Sequence, residues 1–141
     1  MKIIDGNNLI LGRVASYVAK AAILGDKIAI VNTDKLVMSG SRSFIIPDQR
    51  LTQDRRGKPN KGVFYQRQPD RFVKRVIRRM LPQSPRGRVA FKNIYCYIGV
   101  PEEYKAKKLE TIESAHADKL QTKHMTVGEI CHDMGGTWYQ K

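Results

Sequence analysis

The chain has 141 residues, of which 26 are Lys or Arg and 13 are Asp or Glu, giving a formal net charge of +13. That length fits one domain, and an apolar share of 41% beside a charged share of 28% builds a core rather than a disordered chain. The composition excludes a membrane span, since no apolar run is long enough, and a disulfide scaffold, since there are only two cysteines. Met1-Lys2-Ile3-Ile4-Asp5-Gly6 interrupts any signal-peptide h-region with an acid and a glycine, so a reduced cytosolic setting is expected. The excess positive charge favours a polyanionic partner. Nucleic acid outranks membrane because no basic helix carries a Trp/Phe-rich face.

In chain order, Lys2 to Asp5 reads as a short buried strand, and Gly6-Asn7-Asn8 as a turn. From Leu9 to Leu24 the apolar positions Leu11, Val14, Ala15, Val18, Ala19, Ala22 and Ile23 recur at steps of three and four, which predicts a helix stopped by Gly25. Lys27 to Val31 is a continuous apolar run suited to a strand buried on both faces. Strand, helix and strand make a βαβ unit, hence a parallel sheet. Leu36 to Gly40 is too short to assign as turn or strand, and Ser41 to Thr52 is helical in pattern despite Pro47. Gln53 to Lys61 has no periodicity and reads as a loop, with Gly62-Val63-Phe64-Tyr65 leading back to the body.

Pro69 to Leu81 is the clearest amphipathic helix. Arg71, Lys74, Arg75, Arg78 and Arg79 share one face, and Phe72, Val73, Val76, Ile77 and Met80 the other. Pro82 ends it. A shorter helix is predicted from Arg86-Gly87-Arg88 to about Asn93, then a strand over Ile94 to Ile98 closed by Gly99-Val100-Pro101. Glu102 to Lys108 suggests a short helix, and Thr111 to Lys123 is polar with little pattern. Thr126-Val127-Gly128-Glu129 matches a capping box that would start a helix through Met134. The sum is one α/β domain with a basic excursion and a loosely attached C-terminal segment.

The charge is not evenly spread. Residues 42–92 hold fifteen basic side chains against three acids, a net of +12, whereas the rest of the chain nets +1. The fifteen are Arg42, Arg50, Arg55, Arg56, Lys58, Lys61, Arg67, Arg71, Lys74, Arg75, Arg78, Arg79, Arg86, Arg88 and Lys92, eleven of them arginine. The guanidinium fork suits phosphate and stacks on bases. Like charges crowded on one helix face repel by a few tenths of a kcal/mol per pair. Phosphate converts that repulsion into salt-dependent attraction. These fifteen residues are therefore the candidate RNA contacts, with Tyr65 or Phe64 available to stack on a base. The loop is expected to order on its partner.

Other chemistry finds little support. The first strand-to-helix turn lacks the Gly-x-Gly-x-x-Gly spacing, and bulky Leu9, Ile10 and Leu11 stand where a pyrophosphate needs close approach. No P-loop is present, so a nucleotide-binding enzyme rests on the βαβ start alone. His116, His124 and His132 are spaced unlike metal ligands, with no Cys-x-x-Cys. Cys96 reads as core. No catalytic constellation, metal set or cofactor motif emerges.

Five motifs in order resemble the thirteenth large-subunit ribosomal protein family in its archaeal/eukaryotic form. They are Ile4-Asp5-Gly6, Leu11-Gly12-Arg13-Val14-Ala15-Ser16, Ile30-Val31-Asn32-Thr33-Asp34-Lys35 with Ser39-Gly40, Met80-Leu81-Pro82 with Arg86-Gly87-Arg88, and Gly99-Val100-Pro101-Glu102-Glu103-Tyr104. The likeness runs from about Ile3 to Lys108, which sets the expected bounds at 1–108 for the domain and 109–141 for a partly helical extension. It implies a three-layer α/β/α domain with a four-stranded, mainly parallel sheet. It also implies a cytoplasmic, structural role in the large ribosomal subunit: binding large-subunit rRNA, touching neighbouring ribosomal proteins and acting early in assembly, with no membrane or small-molecule partner. The sequence departs from the family pattern at Arg79, where Gly is usual, and at Thr33, where Ala is common. The bacterial Tyr/His/Gly-rich insert is absent.

Overall fold

The computed structural model describes residues 1–54 and 66–137. The chain begins with strand β1 (Lys2–Asp5), helix α1 (Leu11–Ile23) and strand β2 (Ile28–Val31). Strand β3 (Val37–Ser39) and helix α2 (Arg42–Asp54) follow, then helices α3 (Pro69–Met80) and α4 (Pro85–Lys92). Strand β4 (Ile94–Cys96), one-turn helix α5 (Glu102–Lys105), strand β5 (His124–Thr126) and helix α6 (Val127–Asp133) complete the order.

β1 and β4 each pair in parallel with β2, giving a three-stranded sheet of order β1-β2-β4. Alternate side chains go to opposite faces, as the two-residue period of a strand requires. Ile4, Ile28, Ile30 and Ile94 enter the main core with α1, α3 and α4. Ile3, Ala29 and Val31 pack on the other face against Tyr104 of α5, with Tyr97, Val100 and Leu109 at its edge. The purely apolar run of β2 is therefore that of a strand covered on both sides.

The sheet is not four-stranded. Among the described residues, beside β1 stands only a parallel bridge between Ile4 and Glu110, in which the Asp5 N–H donates to Glu110 O (3.0 Å) and the Glu110 N–H to Ile3 O (2.8 Å). Beyond Glu110 the chain leaves the sheet edge to run over α1. There the Ile10 N–H donates to Ala115 O (2.7 Å) and Arg13 Nη1 to Ser114 O (2.8 Å). One residue of register is too little to make a strand. The remaining two strands form a separate antiparallel pair, β3 with β5, matching Val37 to Thr126 and Ser39 to His124. Leu36 to Gly40 thus contains a strand, and the patternless stretch 111–123 holds two 3-10 turns, Glu113–Ala115 and Ala117–Lys119.

The predicted βαβ start is present with shorter bounds. Leu9 and Ile10 are not helical: they bridge to His116 and Val37. The strand expected to reach Ile98 stops at Cys96. The capping box at α6 forms, with the Glu129 N–H donating to Thr126 Oγ1 (3.2 Å) and the Thr126 N–H to Glu129 Oε2 (3.0 Å). Val127 and Cys131 of α6, with Ala115, join the main core. Thr33 is fully buried, and its hydroxyl donates to Tyr97 O at 3.0 Å, so the buried polar atom it carries is satisfied. Burial raises the thiols of Cys96 and Cys131 to about 12 each, so neither is a nucleophile at neutral pH.

Candidate nucleic-acid interface

Helix α3 owes its position to its apolar side. Phe72, Val73 and Ile77 are buried in the main core against α1 and the sheet, while Met80, apolar by spacing, lies at the last turn and stays exposed. Pro69 occupies the first turn with Asp70, and Arg78 and Arg79 the last. That arrangement suits both ends of the helix dipole. With the inner side fixed, Arg71, Arg78 and Arg79 are driven into solvent, and Lys74 and Arg75 are half-buried at the flank.

The turn from α3 to α4 is set by backbone contact. Leu81 is extended and buried, and the Ser84 hydroxyl caps α4 by accepting from the Gly87 N–H at 3.4 Å. A Cβ on Gly87 would lie 1.9 Å from Pro82 O, so only glycine lets α4 approach the end of α3 this closely. That approach seats Phe91 of α4 beneath two cations of α3. Lys74 Nζ lies 5.1 Å and Arg78 Cζ 5.9 Å from its ring centroid. Lys74 Nζ is also 6.0 Å from the centroid of Tyr95, a ring exposed on β4. Cation–π attraction of this kind offsets part of the repulsion among the crowded charges. Arg86, Arg88 and Lys92 of α4 are exposed and extend the basic surface beyond α3.

Three further members of the basic set gather elsewhere, at the end of α6. Arg42 Nη2 is 2.9 Å from Asp133, and Arg50 Nη2 donates to Asp133 O at 3.1 Å. The Arg67 guanidinium lies beside Gly135. Cations at a helix C-terminus satisfy its free carbonyls and its negative dipole end. Arg42 and Arg50 thus tie α2 to α6, a role that counting charges along the chain does not reveal. The signal available was Asp133, an acid beyond the basic segment and next to the Gly135-Gly136 stop. Arg55, Arg56, Lys58 and Lys61, with Phe64 and Tyr65, lie outside the described residues.

The first strand-to-helix turn has no place for a pyrophosphate. Gly6 faces the carbonyl oxygens of Val31 and Asn32, each 2.9 Å from where its Cβ would be. Asn8, at φ 53°, donates through Nδ2 to Asp118 (2.7 Å) and accepts from the Ala117 N–H (2.9 Å). The turn is thus covered by chain, and it presents acceptors where phosphate needs donors. His116 sits 3.5 Å from Asp118, whereas His124 and His132 are exposed on β5 and α6. Among the described residues no three His, Cys, Asp or Glu come together to hold a metal ion, and no helix is long and apolar enough to cross a membrane.

Fold and surface together define a small α/β protein that carries a cationic helix face on an apolar support. Residues 1–103 match the sequence model of the ribosomal protein L13 family, and the chain belongs to that family. It is 44% identical to "Large ribosomal subunit protein uL13" of Methanosarcina barkeri, over 96% of this chain and 98% of that one. The protein of the same name from Methanopyrus kandleri is 40% identical, over 94% of this chain and 86% of that one. A third, from Sulfurisphaera tokodaii, is 36% identical, over 95% and 94%.

Proposed function

We propose that this chain is a structural constituent of the large ribosomal subunit, bound to large-subunit rRNA and to neighbouring ribosomal proteins, and acting early in subunit assembly. Its place is the cytoplasm, within that particle, and its work is that of a scaffold and not of an enzyme. The observation that carries this reading is α3, where Phe72, Val73 and Ile77 are locked in the core while Arg71, Arg78 and Arg79 are held outward. A rigid row of guanidinium groups meets RNA chiefly through phosphates, with recognition by shape. Lys74, Arg75, Arg86, Arg88 and Lys92 widen that contact. Arg55, Arg56, Lys58 and Lys61, which lie outside the described residues, are expected from the sequence to join it, and Arg42, Arg50 and Arg67 border it from the end of α6. Residues 1–108 act as the rRNA-binding domain and 109–141 as an extension meeting the particle.

The test is the triple variant Arg71→Glu, Arg78→Glu, Arg79→Glu, assayed for binding to a large-subunit rRNA transcript at several salt concentrations. Its affinity is expected to fall by roughly a hundredfold or more and its salt slope by about 2–3, with the circular dichroism spectrum unchanged. A folded triple variant that binds like the wild type would remove α3 from the interface.

A further inference from the structure

Outside the basic middle segment, the outer side of α1 is a surface that the reading above does not use. Leu11, Val14, Ala15, Val18, Ala19, Ala21 and Ala22 turn inward. Gly12, Arg13, Ser16, Tyr17 and Lys20, at steps of one, three, one and three, form the exposed side. Beside it runs the segment that leaves β1 after Glu110, and between the two lies an open groove of about 550 Å³ lined by Arg13, Ser16, Tyr17, Lys20, Ile112 and Ser114. Two cations and an aromatic ring line it, and no acid does.

Two details give the groove a built character, and a third marks the helix beside it. Arg13 is held in place through Nη1, which donates to Ser114 O at 2.8 Å, so the rest of its guanidinium is pre-aimed. Tyr17 is 42% exposed, an unusual outlay of ring surface on a helix otherwise packed with Val and Ala. Gly12 stands within the helix although a Cβ there would meet nothing within 4 Å. Glycine costs helix stability, and among the described residues nothing requires it at this position. It leaves the helix backbone bare to a partner. Gly12 and Ser16 lie side by side, one helical turn apart, and leave room for such a partner.

We infer that this groove is a second RNA-binding site, which takes an unstacked nucleotide with its base against Tyr17 and Ile112 and its adjoining phosphates between Arg13 and Lys20. The inference rests on the RNA-binding reading above. Stacking of a splayed base on an aromatic ring, with guanidinium and ammonium groups on the backbone, is how irregular RNA is held. β1 and β4 are the two edges of the sheet. The groove lies toward β1 and the α4 surface toward β4, so the domain would be gripped from two sides.

The test compares the full wild-type chain, Arg13→Glu/Lys20→Glu and the α3 triple variant on a large-subunit rRNA transcript, by filter binding and hydroxyl-radical footprinting. The double variant is expected to bind roughly tenfold more weakly, with a salt slope lower by about 1–2, and to lose a protected patch that the α3 variant retains. Lys20→Glu and Tyr17→Ala alone leave the Arg13–Ser114 bond intact, and each should weaken binding a few-fold at an unchanged Tm. Wild-type binding by both single variants would trace the double variant's loss to the displaced 112–114 segment and overturn the proposal. Unchanged affinity and footprint in the double variant, with loss of a polyglutamate probe instead, would assign the groove to an acidic protein segment and also overturn it. Failure of the wild-type chain itself to bind the transcript would sink the RNA reading beneath both sites.

Discussion

Helices α1 and α3 pack on each other beneath the same sheet face, yet they turn opposite kinds of surface outward. α3 presents a dense row of four arginines and one lysine, two of these cations over the Phe91 ring. α1 presents glycine, serine, one tyrosine and two cations. On α3 the electrostatic term is large and needs little shape, because several charges act on any phosphate that comes near. On α1 the charge is sparse and shape decides, through a groove, a pinned guanidinium and bare backbone. Charge density along a sequence finds the first kind of surface and is blind to the second.

The glycines divide along the same line and give the largest expected effect. Gly87 is required by the fold itself, since a methyl group there would lie 1.9 Å from Pro82 O. Gly87→Ala forces α4 off the end of α3, and the gain in helix propensity of about 1 kcal/mol does not recover what overpacking costs. A net loss of about 2–3 kcal/mol is expected, read as a Tm lower by roughly 5–10 °C. Phe91 moves with α4, so rRNA affinity should fall alongside stability. A variant as stable as the wild type would mean that the α3–α4 turn gives way cheaply and that the basic surface is not rigidly held.

This division also explains how much was legible in the sequence. β1, α1, β2 and α3 each carry a strong period or an apolar run, and each appeared within one to two residues of its expected bounds. The cationic side of α3 was legible for the same reason: the periodicity that buries Phe72, Val73 and Ile77 places the arginines opposite. The β3–β5 pair was not, because each strand is three residues long and its partner lies more than eighty residues away. Too few residues alternate to show a period of two. The four-stranded sheet implied by the family resemblance had no position in the sequence pattern; the sheet has three strands, with a single bridge between Ile4 and Glu110 at its β1 edge. The α1 groove was hidden too. Its far wall, Ile112 and Ser114, comes from a stretch without pattern, and only the tertiary fold brings that stretch beside Arg13 and Tyr17.

A smaller effect sharpens the account of α3. Lys74 and Arg78 both sit over Phe91, which is half-buried against the main core. Phe91→Leu keeps an apolar side chain in that position but removes the π face, with a loss of about 1 kcal/mol expected from two partly exposed cation–π contacts. Phe91→Tyr should retain most of it. The measurement is a pair of urea titrations at low and high salt. Equal stability of the Leu and Tyr variants would show that the ring serves packing alone and leaves the α3 charges unsupported.

The smallest expected effect bears most directly on the difference between the two helices. Gly12→Ala adds a methyl group where nothing stands within 4 Å, in a helix position that favours alanine. The variant should gain about 0.5–1 kcal/mol, or roughly 2–4 °C in Tm. If α1 faced only water, that gain would come free and rRNA affinity would stay level. If RNA lies against the backbone at Gly12 and Ser16, the methyl group intrudes, and affinity falls a few-fold while stability rises. Opposite signs in the two measurements are the signature of a glycine kept for a partner rather than for the fold, the reverse of Gly87, where both fall together.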